Sequence, residues 1–301
     1  MRQKFGGDWT EDKLARVGEY LKAYNIVLKN QKFILEYIDA FAGTGYREVR
    51  EEGGGHGLLF PDLAEPKVQG FLDGSARIAL KVDPGFDKFT FIEKEPKKVE
   101  ELQKLRSEFP DKLIRIECGD ANEWVQALCR ENWNYRRAVL FLDPFGMQVS
   151  WQTLEAVAKT KCIDVWLLFP LGVAISRLLR RDGAIDEVLC KRLDSVFGDR
   201  SWHQAFYKET SSERGKDVQQ SLFGDEDEDD EPDYPWKAAD FPLVEDYFRS
   251  RLRTIFAGVA EKSVRLKNSK NVPLYLLFFM AGNKKGAPIA VKIAESIMGK
   301  L

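Results

Sequence analysis

The chain has 301 residues, of which 44% are hydrophobic and 31% charged, with a formal net charge of −2; this composition suits one large globular domain or a domain with additions. No apolar run approaches the roughly 20 residues that a membrane helix needs, and the first residues lack the apolar segment of a secretory signal, so we expect a cytoplasmic protein. The four cysteines form no CxxC pair, which argues against a zinc site and a disulfide framework.

The predicted elements alternate between helix and strand over the first 170 residues. An amphipathic helix over Thr10–Asn30, capped by Thr10, is predicted because apolar residues recur at helical spacing. Five strands are predicted over Phe33–Phe41, Phe89–Glu93, Leu113–Cys118, Ala138–Asp143 and Ile163–Pro170. The intervening helices are predicted over Gly70–Val82, Pro96–Phe109, Ala121–Asn132 and Trp151–Lys159. This alternation predicts a mostly parallel α/β sheet with helices on both faces.

The pattern changes after Pro170. Val173–Phe197 and Pro242–Phe256 are predicted to be helical, and the polar stretch Lys208–Asp233 between them is expected to be mobile. A strand over Val272–Ala281 and a helix over Ala287–Met298 would complete the sheet from one edge. The predicted organisation is an N-terminal helical extension (1–32), a Rossmann-like core (33–170), a helical insertion (171–241) with an acidic loop at about 208–235, and a C-terminal helix–strand–helix unit (242–301).

Acidic residues stand at or just after the carboxyl ends of four successive predicted strands, as Asp39, Glu93, Asp120 and Asp143. Ligands of open parallel sheets bind at the carboxyl ends of the strands, so we expect these acids to share one site. Each acid alone could be an ordinary loop residue, and Asp120 could cap the following helix. The turn Gly43-Thr-Gly45 lacks the third glycine of a dinucleotide-binding GxGxxG motif, and no Walker lysine motif is present.

This order of motifs resembles the class I methyltransferases that use S-adenosylmethionine (SAM), over roughly Phe33 to Pro170. The resemblance implies a Rossmann-like fold with a terminal antiparallel strand and SAM as the cofactor. It implies that Glu93 contacts the ribose and Asp120 the adenine. The full set of cofactor-binding residues that it implies is Asp39, Phe41, Gly43, Gly45, Glu93, Asp120 and Ala121.

A second resemblance spans nearly the whole chain. The stretches Trp9–Leu14, Tyr37–Gly45, Asp73–Ser75, Phe91–Pro96 and Leu142–Gly146 are similar to motifs of the three-Cys-motif partner protein family. That family implies a methyltransferase-like fold and a companion three-Cys-motif protein resembling radical-SAM enzymes. It implies no defined substrate, and the glycine-rich stretch Gly53–Gly57 departs from a plain methyltransferase.

The predicted catalytic loop is Asp143-Pro144-Phe145-Gly146. It resembles the Asp-Pro-Pro-aromatic loop of amino-group methyltransferases, and more closely the Asp-Pro-Phe-Gly of tRNA guanine N2-dimethyltransferases. A carboxylate and the Pro144 carbonyl can accept hydrogen bonds from the two N–H groups of an exocyclic amine, and an aromatic ring can stack on a base. A base within a duplex would have to be flipped out. The alternative is a turn that uses Pro and Gly alone.

Basic residues interleaved with aromatics occur in four segments, and together they could form a phosphate-facing rim. Each could equally be the solvated face of a helix. Eight acids lie within residues 225–233, and without them the chain has 46 basic and 40 acidic residues, or +6. The four segments are Asn134–Arg137, Ser176–Arg181, Tyr247–Arg253 and Lys262–Lys270.

The segment Gln219-Gln-Ser-Leu-Phe223 is similar to the pentapeptide with which bacterial proteins bind the sliding clamp, although it has Gln220 where that motif has Leu. A chance match of five residues is the alternative. The sequence as a whole favours an N-methyltransferase acting on a nucleic-acid base, in a mobile-element, defence or DNA-repair setting. Two alternatives stay open: a small-molecule or nucleoside methyltransferase, and a non-catalytic SAM-binding partner subunit.

Overall fold

A computed structural model describes residues 8–43, 74–175, 178–179, 185–208, 236–237, 240–267 and 271–300. Its five parallel strands are β1 (Ile34–Asp39), β2 (Lys88–Glu93), β3 (Leu113–Cys118), β4 (Arg136–Leu142) and β5 (Ile163–Phe169). The first five helices are α1 (Asp8–Leu28), α2 (Ser75–Lys81), α3 (Pro96–Glu108), α4 (Ala121–Cys129) and α5 (Trp151–Thr160). These elements follow the predicted alternation with shifts of a few residues at their ends.

The second half adds helices and short strands. A π-helical turn, Leu171–Ile175, is followed by α6 (Glu187–Phe197) and α7 (Ser201–Phe206). The remaining elements are β6 (Tyr207–Lys208), β7 (Trp236–Lys237), α8 (Phe241–Arg253), β8 (Gly258–Val259), β9 (Val264–Lys267), β10 (Pro273–Ala281) and α9 (Ala287–Met298). The sequence pattern predicted none of α7, β6, β7, β8 and β9, because such short elements carry too few residues to show a period.

The central sheet has eight strands in the order β3-β2-β1-β4-β5-β10-β8, and β9 also pairs with β10. Strands β1 to β5 are parallel, whereas β10 runs antiparallel to β5, with Phe278 opposite Leu167. This topology confirms the predicted Rossmann-like fold with a terminal antiparallel strand.

Both faces of the sheet are buried. Side chains of β4 alternate between the faces, so that Leu140 packs with α4 to α8 on one face and Phe141 packs with α1, α2, α3 and α9 on the other. This burial explains why β4 and β5 are almost continuously apolar. Within the described residues, no helix is long and apolar enough to cross a membrane.

Helix α1 begins at Asp8, two residues before the predicted start. The prediction that Thr10 caps it is therefore wrong: Thr10 lies inside the first turn, with its side chain buried. Farther along α1, the Tyr20 ring packs edge-on against Trp166 at 5.5 Å, and its hydroxyl donates to Asp164 of β5 at 2.9 Å. Arg16 donates to the Ile297 and Met298 carbonyls at the end of α9. These contacts hold α1 against the sheet, and they fix where its first turns lie.

Candidate active site

The site is built at the carboxyl edge of the parallel strands. Strand β1 ends at Asp39 and β2 at Glu93, while Asp120 and Asp143 stand just beyond the ends of β3 and β4. The strand order β3-β2-β1-β4 makes these four strands direct neighbours. Strands that are far apart in the sequence therefore present their acids along one edge, which is where open α/β sheets bind ligands.

Asp39 is completely buried, and its carboxylate is held by neutral donors. The Phe41 amide donates to Oδ1 at 3.2 Å and the Tyr37 hydroxyl to Oδ2 at 3.3 Å. Burial raises the pKa of Asp39 to about 6; hydrogen bonds from Ser75, Phe41 and Tyr37 oppose that rise, and the nearby charge of Asp143 adds to it. Asp39 therefore holds the turn after β1 through the Phe41 amide, and its charge interacts with that of Asp143. The Phe41 side chain is half-buried against the core.

Gly43 and Glu93 are joined by a direct hydrogen bond. Gly43 has a φ of +60°, a conformation that favours glycine, and its amide donates to Glu93 Oε2 at 3.0 Å. The other oxygen of Glu93 accepts the Glu95 amide at 2.9 Å. One carboxylate therefore ties the loop after β1 to the loop after β2. The predicted partner glycine, Gly45, lies outside the described residues.

Asp120 is the N-cap of α4. Its Oδ1 accepts the Asn122 amide at 2.9 Å, and its Oδ2 lies 3.6 Å from the Lys94 ammonium. Partial burial opposes ionisation, but hydrogen bonds from Asn122 and Glu123 and the Lys94 charge prevail, so the pKa of Asp120 is lowered. The side chain stays 39% exposed, so it caps the helix and still faces solvent at the strand edge. Ala121 begins α4 with its side chain in the core.

Asp143 is paired with a lysine from the N-terminal helix. The Lys13 ammonium donates to Asp143 Oδ2; the lysine side chain is 3% exposed and the aspartate side chain 26% exposed. Lys13 Nζ also lies 5.7 Å from the centre of the Phe141 ring. The spacing of Lys13 within α1 gave no sign of this role, although the residue stands within the motif Trp9–Leu14.

The rest of the loop after β4 presents one aromatic ring to solvent. Pro144 is buried, whereas Phe145 is 73% exposed, and Gly146 has a φ of +85° that allows the chain to turn. The Phe145 amide donates to Gln148 Oε1 at 2.8 Å. An exposed phenylalanine on a loop held in this way is available to stack against a planar ligand.

Asn122 holds this loop to the one after β3. Its Nδ2 donates to the Gln148 carbonyl at 2.8 Å, and its Oδ1 accepts the Ser150 amide at 2.9 Å. Its own amide and Nδ2 donate to Asp120, so a single side chain links Asp120 to the loop that carries Phe145. Sequence reasoning missed Asn122 and Gln148, although Asn122 adjoins Ala121 and Gln148 lies two residues after Gly146.

The described arginines of the predicted basic segments are bound within the chain. Arg136 pairs with Glu36 and Glu131, Arg249 with Glu245 and Asp246, Arg251 with Asp199, Arg253 with Glu261, and Arg265 with Glu245. Arg136 also opens β4, at the opposite edge of the sheet from Asp143. The segment Asn134–Arg137 therefore does not belong to a rim around the site, because a strand separates it from the loop. Most of Ser176–Arg181 lies outside the described residues.

Within the described residues, the cysteines and the remaining acids form no cluster that could ligate a metal ion. Cys118 is exposed, Cys129 and Cys162 are half-buried, and Cys190 is buried, all as free thiols. Burial raises the pKa of Cys129 to about 12, which makes it an inert thiol. Across the described part of the chain, no group of three or more His, Cys, Asp or Glu residues could hold a metal ion.

Comparison with known proteins gives likeness at the level of structure. No family model and no curated protein matches the chain. A solved structure of protein LPL1258 from Legionella pneumophila, of family DUF519, matches at 12% identity over 97% of this chain and 92% of that one, with a TM-score of 0.52. The chain has a Rossmann-like fold. At this identity the likeness extends to the fold alone.

A second solved structure is yhhF from Escherichia coli, which is named only as a candidate methyltransferase. It matches at 12% identity over 56% of this chain and 72% of that one, with a TM-score of 0.30, an overlap too weak to support an argument. Membership of the three-Cys-motif partner family therefore stays a prediction from the motifs.

Proposed function

We propose that the chain is a SAM-dependent N-methyltransferase whose acceptor is an exocyclic amino group of a nucleic-acid base. The observation that carries the proposal is that Asp143 and the exposed Phe145 stand on one loop. This loop lies beside the loops after β1 and β2, which the hydrogen bond between Gly43 and Glu93 ties together. A carboxylate that accepts hydrogen bonds and an adjacent exposed ring are the two features needed to orient a planar amine.

The residues at the ends of β1, β2 and β3 fit an adenosyl group. Among the described residues, none would come within 4 Å of a side-chain carbon added at Gly43, so these residues leave room for a ligand to lie close to the backbone there. Glu93 keeps lone pairs beyond its two amide bonds, since a carboxylate accepts about four hydrogen bonds, and these suit ribose hydroxyls. Asp120 can accept from the adenine amino group. Bound SAM would supply an electrophilic methyl group on its sulfonium.

The loop after β4 would hold the acceptor. Asp143 and the Pro144 carbonyl would accept hydrogen bonds from the two N–H groups of the amine, which turns the nitrogen lone pair away from them and toward the cofactor side of the site. Phe145 would stack on the base, an interaction worth about 1–3 kcal/mol per base. Lys13 binds one oxygen of the Asp143 carboxylate, and a carboxylate serves purely as an acceptor of hydrogen bonds.

A small-molecule or nucleoside acceptor is the second candidate, and a specific observation favours it. Five of the six arginines that the structure describes in the predicted basic segments are paired with acids of the same chain, which leaves less charge for phosphates. Measuring transfer to both nucleosides and polynucleotides distinguishes these candidates.

Two partners stay proposals of their own. The family resemblance supports a companion three-Cys-motif protein, and with it the third possibility, a SAM-binding subunit without catalysis. The segment Gln219–Phe223, proposed to bind a sliding clamp, lies outside the described residues. A labelled peptide spanning Lys216–Gly224 should bind a bacterial clamp and lose binding on Leu222→Ala plus Phe223→Ala.

The test is transfer of a tritiated methyl group from SAM into DNA, RNA, nucleosides and small-molecule extracts, with and without the companion. Asp143→Asn should lower turnover on the order of 100-fold, since it misplaces the acceptor, while calorimetry should find its SAM affinity unchanged. Asp240→Asn is the matched control, because Asp240 is the N-cap of α8, a position where asparagine serves equally well.

Three outcomes would count against the proposal in different ways. SAM binding without transfer to any acceptor, even with the companion present, would identify a non-catalytic subunit. Transfer to nucleosides but not to polynucleotides would favour the second candidate. Absence of SAM binding would reject the function altogether.

A further inference from the structure

We propose that Lys13, on the N-terminal helix α1, is a positioning residue that fixes the Asp143 carboxylate for methyl transfer. The inference rests on the proposed function, and it goes beyond it by making α1 a part of the active site. The starting observation is the hydrogen bond from the Lys13 ammonium to Asp143 Oδ2, which joins residues 130 positions apart.

The position of Lys13 is set by contacts that do not involve Asp143. Arg16 and Tyr20 lie one and two turns farther along the same helix and bind the end of α9 and Asp164 of β5. Residues 13, 16 and 20 share one face of α1, because residues three and four apart lie one above the other on a helix. The contacts of Arg16 and Tyr20 therefore hold Lys13 at the carboxyl edge of the sheet.

The burial of the two partners differs in a way that suits positioning. The Lys13 side chain is 3% exposed, whereas that of Asp143 is 26% exposed. The ammonium thus approaches the carboxylate from inside the protein, and the solvent side of Asp143 stays open to an acceptor. A carboxylate has two oxygens, so one can be held by Lys13 while the other receives the amine.

The charges around Asp143 give Lys13 a second task. Asp39 at the end of β1 is close enough for the charge of Asp143 to raise its pKa, and Tyr37 beneath it is affected in the same direction. Two neighbouring carboxylates disfavour each other's ionised forms. The Lys13 ammonium, placed against the Asp143 carboxylate, offsets the repulsion between the two acids.

The experiment is a double-mutant cycle of Lys13→Met and Asp143→Asn, with kcat and KM measured on whichever acceptor the wild type methylates. If Lys13 acts through Asp143, Lys13→Met should lower kcat about tenfold or more in the wild type but less than about twofold in the Asp143→Asn protein. Affinity for S-adenosylhomocysteine should not change. Lys13→Arg, which retains the charge, should recover part of the lost kcat.

Arg16→Met is the matched control. Arg16 is also a buried cation on α1, but its side chain binds Asp12 and the end of α9 instead of Asp143. It should lower the melting temperature without a selective loss of kcat in the folded fraction. An equal loss of kcat in Lys13→Met and Arg16→Met, or an equal effect of Lys13→Met in both Asp143 backgrounds, would overturn the proposal.

A crystal structure of the Lys13→Met protein supplies a readout that does not need activity. The Asp143 carboxylate should leave its wild-type position, whereas an unmoved carboxylate would overturn the proposal. If the wild type methylates no acceptor, the proposed function fails, and the crystal structures still decide whether Lys13 holds Asp143. Should Lys13→Met not fold, Lys13→Gln takes its place in both measurements.

Discussion

Strand β1 carries two buried acids only three residues apart, and their surroundings differ. Glu36, near the amino edge of the sheet, accepts from the Arg136 guanidinium at 2.5 Å and from the Thr90 hydroxyl at 2.7 Å. Asp39, at the carboxyl edge, is held by an amide and hydroxyls, and burial raises its pKa to about 6. At the amino edge, the buried charge of Glu36 is paired with the opposite charge of Arg136. At the carboxyl edge, the buried charge of Asp39 is met by neutral donors, so its ionised form is disfavoured by burial.

The difference extends to the neighbouring strands. At the amino edge, Arg136 also binds Glu131 and lies 4.2 Å from the centre of the Trp133 ring, so this cation connects two acids and an aromatic ring of the fold. At the carboxyl edge, Lys13 and Asp143 pair while Asp143 stays partly exposed. Removing one partner of a buried ion pair destabilises the fold, whereas charge left accessible at a strand edge can bind a ligand.

The largest expected effect comes from breaking the amino-edge network. Arg136→Met leaves Glu36 buried without its cation, so the free energy of unfolding should fall by about 3–5 kcal/mol. Urea denaturation measures the loss, and Arg130→Met, at an exposed position on the same side of the molecule, should change it by less than about 0.5 kcal/mol. A loss of SAM affinity in folded Arg136→Met would mean that the two edges are not independent.

The buried charge of Asp39 should appear as a pH dependence of stability. Its folded-state pKa of about 6 lies above the ordinary value of 3.8, so the folded protein binds this proton more tightly than the unfolded chain does. That contribution is fully present below 3.8 and is lost as the pH rises through about 6, which amounts to about 3 kcal/mol.

Asp39→Asn removes this titration, so its stability relative to the wild type should increase between pH 4 and about 7. Urea denaturation at several pH values gives the difference curve, in which the titrations shared by both proteins cancel. A flat difference curve would show that the hydrogen bonds to Asp39 compensate for its burial, and the contrast between the two edges would disappear.

Glu93 tests whether the carboxyl edge binds the cofactor. Glu93→Gln replaces one of two accepting oxygens with a donor, so it must disturb either the Gly43 or the Glu95 bond as well as the proposed ribose contact. SAM affinity measured by calorimetry should fall about tenfold, or about 1.4 kcal/mol. The control is Glu123→Gln, an exposed acid in the first turn of α4, and equal affinity in the two variants would remove Glu93 from the cofactor site.

The smallest effect on stability is expected from two exposed rings at opposite ends of β4. Phe145 is 73% exposed beside the site, and Tyr135 is 72% exposed just before the strand begins. Alanine at either position should change the free energy of unfolding by less than about 0.5 kcal/mol. Only Phe145→Ala should raise the acceptor KM, by about fivefold or more, because only this ring would stack on the base. Equal KM values would assign Phe145 no part in binding.

The sequence predicted the fold well because its strongest signals are local. The apolar runs of β4 and β5 and the alternating helices predict a doubly covered parallel sheet whatever the loops contain. The acids at strand ends could be recognised for the same reason, since the carboxyl ends of parallel strands meet at one edge. Short strands such as β8 and β9 were not predicted from the sequence, because they form only through pairing with β10.

What the sequence determined by itself is thus the sheet, its carboxyl edge, and the acids and the Asp143–Gly146 loop that stand there. Only the tertiary structure decided which charges are neutralised. Lys13 reaches Asp143 across 130 positions, and Arg136 reaches Glu36 across 100. Nothing in the spacing of residues within one helix or strand records which partner will lie opposite them, because ion pairs depend on how separate elements dock. The same dependence on docking separates a buried acid that stabilises the fold from one that can serve a reaction.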